Sequence, residues 1–156
     1  MLYLGATLIG NVAWETLHLP LYTLWDRNTA TYLAFVVAHC TAGDLMIATG
    51  TLFVATTVAG RDWPRRNYRR VALITILLGL AYTVFSEWLN VSFRGSWAYA
   101  PAMPVVPMLG TGLSPILQWI VVPTASFMWV RSRKSLSLSE GTATARVVPP
   151  SQPHLK

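Results

Sequence analysis

The chain has 156 residues, enough for one domain; 53% of them are hydrophobic and only 12% are charged. A soluble domain carries roughly 25% charged residues, so this composition excludes a disordered chain, a nucleic-acid-binding domain and most soluble enzymes. It favours a membrane protein, and membrane topology is then the natural explanation of the net charge of +6. The one cysteine, Cys40, has no partner for an internal disulfide, and we expect it to be a small packing residue.

Four segments are long and apolar enough to cross a bilayer, which takes about 20 helical residues. They are approximately 2–25, 32–59, 71–91 and 113–130. The first has no basic start and no small-residue cleavage pattern, so we expect a retained helix and not a cleaved signal peptide. In the fourth, Pro115 suits a first helical turn and Pro123 should kink the helix. The sequence therefore predicts an all-α protein, a bundle of four transmembrane helices over residues 1–130. The remainder, 131–156, is rich in Ser, Thr and Pro and is expected to be a disordered cytoplasmic tail.

Basic residues lie on two segments that four spans would put on the same side of the membrane. The connection 60–70 holds five arginines, and the segment 131–134, after the fourth span, holds three basic residues. The opposite side carries only Arg27 and Arg94. The positive-inside rule then predicts a multi-pass protein of the cell membrane with both termini in the cytoplasm. These charges are expected to face the lipid bilayer, and no nucleic-acid partner is expected.

Ionisable side chains inside the predicted spans are the most informative feature of this sequence. Three of the six carboxylates, Glu15, Asp44 and Glu87, lie there together with His18 and His39. A charge at mid-membrane costs about 2.5–3.5 kcal/mol, so such groups usually face the bundle interior and find partners. Counted along the predicted orientation, all of them lie between the midplane and the extracytoplasmic surface. We therefore expect a polar cavity inside the bundle that opens on that side.

Helical spacing puts several polar groups on shared faces. The spacing i, i+4, i+7 occurs in two triplets: Asn11, Glu15 and His18, and Thr83, Glu87 and Asn90. His39 and Asp44 are about 140° apart around one helix and cannot both face one centre without a local distortion. The candidate contacts to a bound molecule are the polar and aromatic residues near these faces: Asn11, Trp14, His18, His39, Trp88, Asn90, Trp97 and Gln118.

The connection 92–112 lies on the predicted open side of the cavity. It holds three prolines, three glycines and several aromatic residues. Long connections of this kind in compact proteins are often functional. The segment is either an ordinary extracytoplasmic loop or a partly buried lid over the cavity.

Two kinds of chemistry fit these residues. Glu15 and His18 have the i, i+3 spacing of the carboxylate–histidine motif in di-iron bundles, which need two such motifs. Only one is present here, so together with Glu87 and one of His39 or Asp44 they are candidates for a mononuclear divalent metal site with mixed nitrogen and oxygen ligands. The other chemistry needs no metal. Burial favours the neutral form of a carboxyl, and Glu15 would then donate a proton to a double bond or epoxide of an apolar substrate, with Asp44 and Glu87 as further catalytic groups.

Two resemblances accompany these residues. The segment Asn11-Val12-Ala13-Trp14-Glu15 resembles the N-x-x-W-E segment of membrane-bound terpene cyclases of the fungal meroterpenoid type, which implies that Glu15 is a proton donor. Those cyclases are longer and have more spans. The chain also resembles small four-span bacterial membrane proteins of unknown function, which implies a fold and no activity. The motifs that carry this resemblance are N-x-x-W-E-x-x-H-L-P-L-Y at 11–22, H-C-x-x-G-D at 39–44, W-x-Y-x-x-x-M-P-x-x-P at 97–107 and G-L-S-P-x-L-Q-W at 112–119.

Three further interpretations stay open. In the first, the polar side chains only join helices, at about 0.6 kcal/mol per hydrogen bond. Against it, five ionisable groups cost more free energy to insert into a membrane than such bonds supply. In the second, the protein is a non-catalytic subunit that docks on a partner membrane protein. In the third, it is an element that conducts protons or other ions. The direction of the acids separates a docking subunit from a pocket that binds a small hydrophobic molecule: they point outward in the first and converge in the second.

Overall fold

The structure, a computed structural model, describes residues 2–63 and 66–147, with side chains as far as residue 133. These residues form helices and connecting segments, with no strand among them. In chain order the helices are α1 (Leu2–His18), α2 (Leu24–Arg27), α3 (Ala30–Ala59), α4 (Tyr68–Glu87) and α5 (Leu113–Val147). A 3₁₀ turn, Leu19–Leu21, follows α1, and a π-helical segment, Trp88–Phe93, continues α4. The all-α class predicted from the sequence is confirmed.

Three helices are long and apolar enough to cross a membrane: Ala30–Ala59, Tyr68–Phe93 and Leu113–Arg133. They agree with the second, third and fourth predicted spans. The first predicted span, 2–25, is interrupted, because α1 ends at His18 after 17 residues. Pro20 lies in the turn that follows. Proline has no N–H to continue the helix and disfavours the helical conformation of the residue before it.

Helix α5 begins with Pro115 in its first turn and continues through Pro123 to Val147. Its backbone is therefore helical over the first part of the segment that the sequence assigned to a disordered tail. The rest of that prediction, 148–156, lies outside the described residues.

The four long helices form a closed ring in which α1 and α4 each pack against both α3 and α5. Glycine permits two of the close approaches. A Cβ atom at Gly79 of α4 would lie 2.1 Å from Cε3 of Trp119 on α5, and one at Gly10 of α1 would lie 2.8 Å from Cγ1 of Val122. The ring therefore has a narrow interior, and a side chain that points inward meets those of the other helices.

The surface of the ring is apolar and much of its interior is polar, the reverse of a soluble protein. Large apolar side chains such as Ile9, Leu17 and Phe93 are 73%, 80% and 75% exposed. The buried polar residues are Thr7, Asn11, Glu15, His18, Thr41, Thr75, Thr83, Glu87, Thr111, Ser114, Gln118 and Ser126. This distribution is compatible with a multi-pass membrane protein, because lipid favours an apolar surface.

The two ends of the ring interior differ in chemistry. At one end, here called the aromatic end, the rings of Tyr3, Trp63 and Tyr68 all pack on Phe127. At the other, the polar end, α1 and α4 end and α5 begins. Successive helices of the ring therefore alternate in direction, as the predicted spans require.

Residues 94–112, here called the cap loop, are fixed to the polar end by backbone hydrogen bonds. Thr23 N donates to Ala98 O at 3.0 Å, and Ala100 N donates to Leu21 O at 2.9 Å. Met103 and Thr111 of the same loop are buried. The loop is thus packed against the end of the ring, in the manner of the lid considered from the sequence.

Candidate functional site

Gln118 of α5 lies at the centre of a hydrogen-bonded network in the polar end. Its Nε2 donates to Oε1 of Glu15 on α1 and to Oδ2 of Asp44 on α3, each at 2.9 Å. Oδ1 of Asn11 lies further away, at 3.4 Å. An amide nitrogen has two N–H groups, and each donates a hydrogen bond to one of the two nearer carboxyl oxygens. One uncharged side chain therefore joins two acids from different helices.

His18 extends this network to the start of α5. Its Nε2 lies 3.1 Å from Oε2 of Glu15, and its Nδ1 lies 3.0 Å from Oγ of Ser114. The indole nitrogen of Trp14 donates to the same Oγ at 3.2 Å. Because Ser114 accepts from Trp14, its own proton is available to Nδ1 of His18, and Nε2 then donates to Glu15. The network thus orients the imidazole and aims its proton at the acid.

Glu87 of α4 belongs to a second cluster, beneath the cap loop. The hydroxyl of Tyr99 donates to its Oε2 and accepts from the backbone N–H of Gly112 at 2.9 Å. Burial raises the pKa of the Tyr99 phenol above its usual range, which keeps the phenol protonated as a donor. Trp97 lies near Glu87, and its buried indole nitrogen has no hydrogen-bond partner among the described residues.

Tyr22 lies between the two clusters. Its ring meets that of His18 edge to face, with centroids 5.3 Å apart, and packs against Tyr99 at 5.6 Å. Glu15, His18 and Glu87 are only 6%, 7% and 7% exposed. Carboxyl and imidazole groups from α1 and α4 therefore point into the ring, not toward its outer surface.

Three of the residues predicted to contact a bound molecule lie away from the network. His39 is exposed and stacks on Phe35 with centroids 5.7 Å apart. Trp88 is exposed and stacks on Phe93 at 6.2 Å. Asn90 donates to the backbone carbonyl of Ser86, within its own helix, at 2.9 Å. The other candidates, Asn11, Trp14, His18, Trp97 and Gln118, lie at the polar end.

The geometry does not assemble the metal site considered from the sequence. Glu15 and His18 contact each other, but Glu87 is bonded to Tyr99. Within the described part of the chain, no group of three or more His, Cys, Asp or Glu side chains is placed to hold a metal ion.

Three residues of the site were not predicted: Tyr22, Tyr99 and Ser114. Ser114 and Gln118 are spaced i, i+4 at the start of α5, so helical periodicity alone places them on one face. Tyr22 and Tyr99 lie in connections, where no periodicity exists to indicate which way a side chain points. Their roles follow only from the folded chain.

The chain was compared with models of known protein families, with curated proteins and with solved structures, and none of the three comparisons finds a match. The resemblances to terpene cyclases and to small four-span bacterial membrane proteins therefore stay predictions. The chemistry of the site has to be argued from its own side chains.

Proposed function

We propose that the polar end is an acid–base site for a small hydrophobic molecule, in a four-span protein of the cell membrane with both termini in the cytoplasm. The observation that carries the proposal is the bridge through which Gln118 holds Glu15 and Asp44 inside the ring. A subunit that used its acids to dock on a partner would carry them on its outer surface. A proton-conducting element would need a polar path along the whole interior, whereas aromatic rings pack the opposite end.

The proposal counts α1 as a membrane span in addition to α3, α4 and α5. The 17 residues of α1 extend over about 26 Å, slightly less than the roughly 30 Å of a hydrocarbon core. Local thinning of the bilayer accommodates a short span at modest cost. Its exposed face carries Ile9 and Leu17, and its opposite face lies inside the ring. Both observations suit a helix with lipid on one side and protein on the other.

Glu15 is the central acid of the site. The proposed reaction starts from one proton on the pair of carboxyls, Glu15 and Asp44, that the amide of Gln118 joins. Glu15 gives this proton to a carbon–carbon double bond or an epoxide, and a carbocation forms on the substrate. The face of the Trp14 ring stabilises that cation. A proton then leaves a neighbouring carbon for a carboxylate of the pair, so the reaction is an isomerisation or cyclisation that needs no co-reactant.

Deuterium transfer tests this proposal. Because the natural substrate is unidentified, the test uses a small panel of apolar compounds. The full chain, reconstituted in lipid nanodiscs in D₂O, is incubated with squalene or farnesol, whose double bonds take the deuteron on carbon, and deuterium bound to carbon is measured by mass spectrometry. With 2,3-oxidosqualene the epoxide oxygen takes the deuteron, so the isomerised or cyclised alcohol is measured instead. We expect incorporation with the wild type and a rate about 100-fold lower with Glu15→Gln, because general acids contribute about 10²–10⁴-fold.

The matched control is Asp26→Asn, which removes an exposed carboxyl from α2 at the same end of the molecule. It should retain the wild-type rate. Reaction of Glu15→Gln at the wild-type rate would contradict the proposed acid. So would a wild type that neither incorporates deuterium into squalene or farnesol nor converts 2,3-oxidosqualene.

A further inference from the structure

A groove between α1 and α5 opens on the outer face of the ring and offers a volume of about 450 Å³. This is within the range of about 300–1,000 Å³ typical of small-molecule sites. The residues that line it are Ala6, Ile9, Gly10, Trp14, Val121, Val122, Ala125, Ser126 and Trp129. Small side chains leave the space between the helices open, and an indole ring lies toward each end.

The groove offers no charge and, between its two indole rings, no free hydrogen-bond donor. Ser126 has the one hydroxyl in its lining, and this group donates to the carbonyl of Val122 at 2.8 Å and accepts from Thr7 at 3.2 Å. The indole N–H of Trp14 is taken by Ser114. A ligand that needs a polar partner along its length finds none here, so the lining selects an uncharged hydrocarbon chain.

Trp14 connects the groove to the acid network. One face of its side chain lines the groove, and its nitrogen bonds Ser114, which bonds His18, the neighbour of Glu15. From Ala6 to Trp14 the groove follows α1 for about 12 Å. A chain lying in it has one end beside the network and the other near Trp129.

We propose that this groove binds the uncharged hydrocarbon chain of a molecule that enters sideways from the bilayer. Ile9 and Val121 at its rim are exposed, so a lipid-dissolved molecule reaches it without crossing water. The placement of the chain end beside Glu15 rests on the proposed function, whereas binding of the chain in the groove does not.

Retinol, a fluorescent uncharged polyene, is the probe. Energy transfer from tryptophan to all-trans-retinol is titrated with the full chain in nanodiscs, and saturable binding is expected because Trp14 and Trp129 flank the groove. Ala125→Phe fills the groove and should raise the Kd at least tenfold. Ala6→Leu, a smaller change at the other helix, should weaken binding in the same direction. Ala81→Phe makes the matched change at an exposed alanine of α4 outside the groove and should leave the Kd within twofold.

Equal Kd values for Ala125→Phe, Ala6→Leu and Ala81→Phe, or no saturable transfer in the wild type, would overturn the proposal. So would a change of oligomeric size in Ala125→Phe with unaltered retinol binding, because a second copy of the chain would then occupy the groove. Glu15→Gln should keep the wild-type Kd. If the wild type binds retinol but shows no deuterium transfer, the acid–base site is refuted and the proposed binding in the groove is not.

Discussion

Gln118 and Tyr99 are the side chains through which the carboxyls of the polar end are held. Gln118 donates a hydrogen bond from each amide N–H to a carboxyl oxygen. Tyr99 donates one hydrogen bond to Glu87 and accepts one from the N–H of Gly112. Neither carries a charge. Each therefore satisfies a buried carboxyl without adding an ion to an interior where ions are costly.

Tyr99→Phe tests how firmly the cap loop is held. It removes the hydroxyl that bonds both Glu87 and Gly112, and a hydrogen bond contributes about 0.5–1.5 kcal/mol. Cys40 is half-buried near Glu15 and Asp44, so its alkylation by N-ethylmaleimide reports access to the polar end. We expect the rate to rise about tenfold, the factor that corresponds to about 1.4 kcal/mol.

Tyr82→Phe is the control for this measurement, since Tyr82 is exposed on α4, away from the cap loop. Its alkylation rate should equal that of the wild type. An unchanged rate in Tyr99→Phe would mean that the backbone bonds to Leu21 and Thr23 hold the loop without the phenol.

Helices α4 and α5 depend on a glycine for their separation. The Gly79→Ala substitution would place a methyl group against the ring of Trp119, which is itself buried. Overpacking of this kind costs about 1–3 kcal/mol. We expect a lower midpoint in thermal unfolding of the purified protein in detergent.

Gly50→Ala on α3 is the matched change, because no atom lies within 4 Å of the added Cβ position. It should leave stability unchanged or raise it by as much as about 1 kcal/mol, since alanine favours a helix over glycine. Equal midpoints for the two variants would show that α4 and α5 are not in close contact at this point.

Apolar length predicts α3, α4 and the start of α5 closely from the sequence, because each contains a continuous hydrophobic run. It does not predict the end of α5, because the helix continues to Val147 through a segment that is no longer apolar. It does not place the end of α1, where Pro20 interrupts a run that is still apolar. It also misses the π-helical segment. A π turn has wider spacing than an α turn, so the i, i+7 relation between Thr83 and Asn90 fails there, and Asn90 turns to Ser86 and away from the network.

The sequence also predicts only part of the site. The spacing of Asn11, Glu15 and His18 correctly places them on one buried face of α1. Periodicity gives the face of each helix but not which faces oppose each other in the ring. The central position of Gln118, and the separation of Glu87 from Glu15 by Tyr22, therefore follow only from the packing of the helices.

At the scale of the whole molecule, the number of crossings decides where the termini lie. With α1 as a span, residue 2 is on the same side as the arginine-rich connection; without it, residue 2 is on the opposite side. Single cysteines in a Cys40→Ser background distinguish the two. We expect Leu2→Cys and Asn67→Cys to react with a membrane-impermeant maleimide only after cell lysis, and Arg27→Cys and Ser96→Cys to react in intact cells.

The reverse pattern for all four cysteines would overturn the predicted orientation. Reaction of Leu2→Cys in intact cells, with Asn67→Cys still protected, would instead show that α1 does not cross. Either result would leave the fold of the ring unchanged but would require a different membrane topology.

The partners of Glu15 and His18 include Gln118 and Ser114, which belong to the last long helix of the chain. In the proposed topology, α1 reaches the bilayer well before α5 has been translated. Until then Glu15 and His18 have each other but lack the two partners that α5 supplies. Completion of the final helix is therefore what commits the newly made protein to its folded form, and a prematurely terminated chain would present the polar face of α1 to cellular quality control.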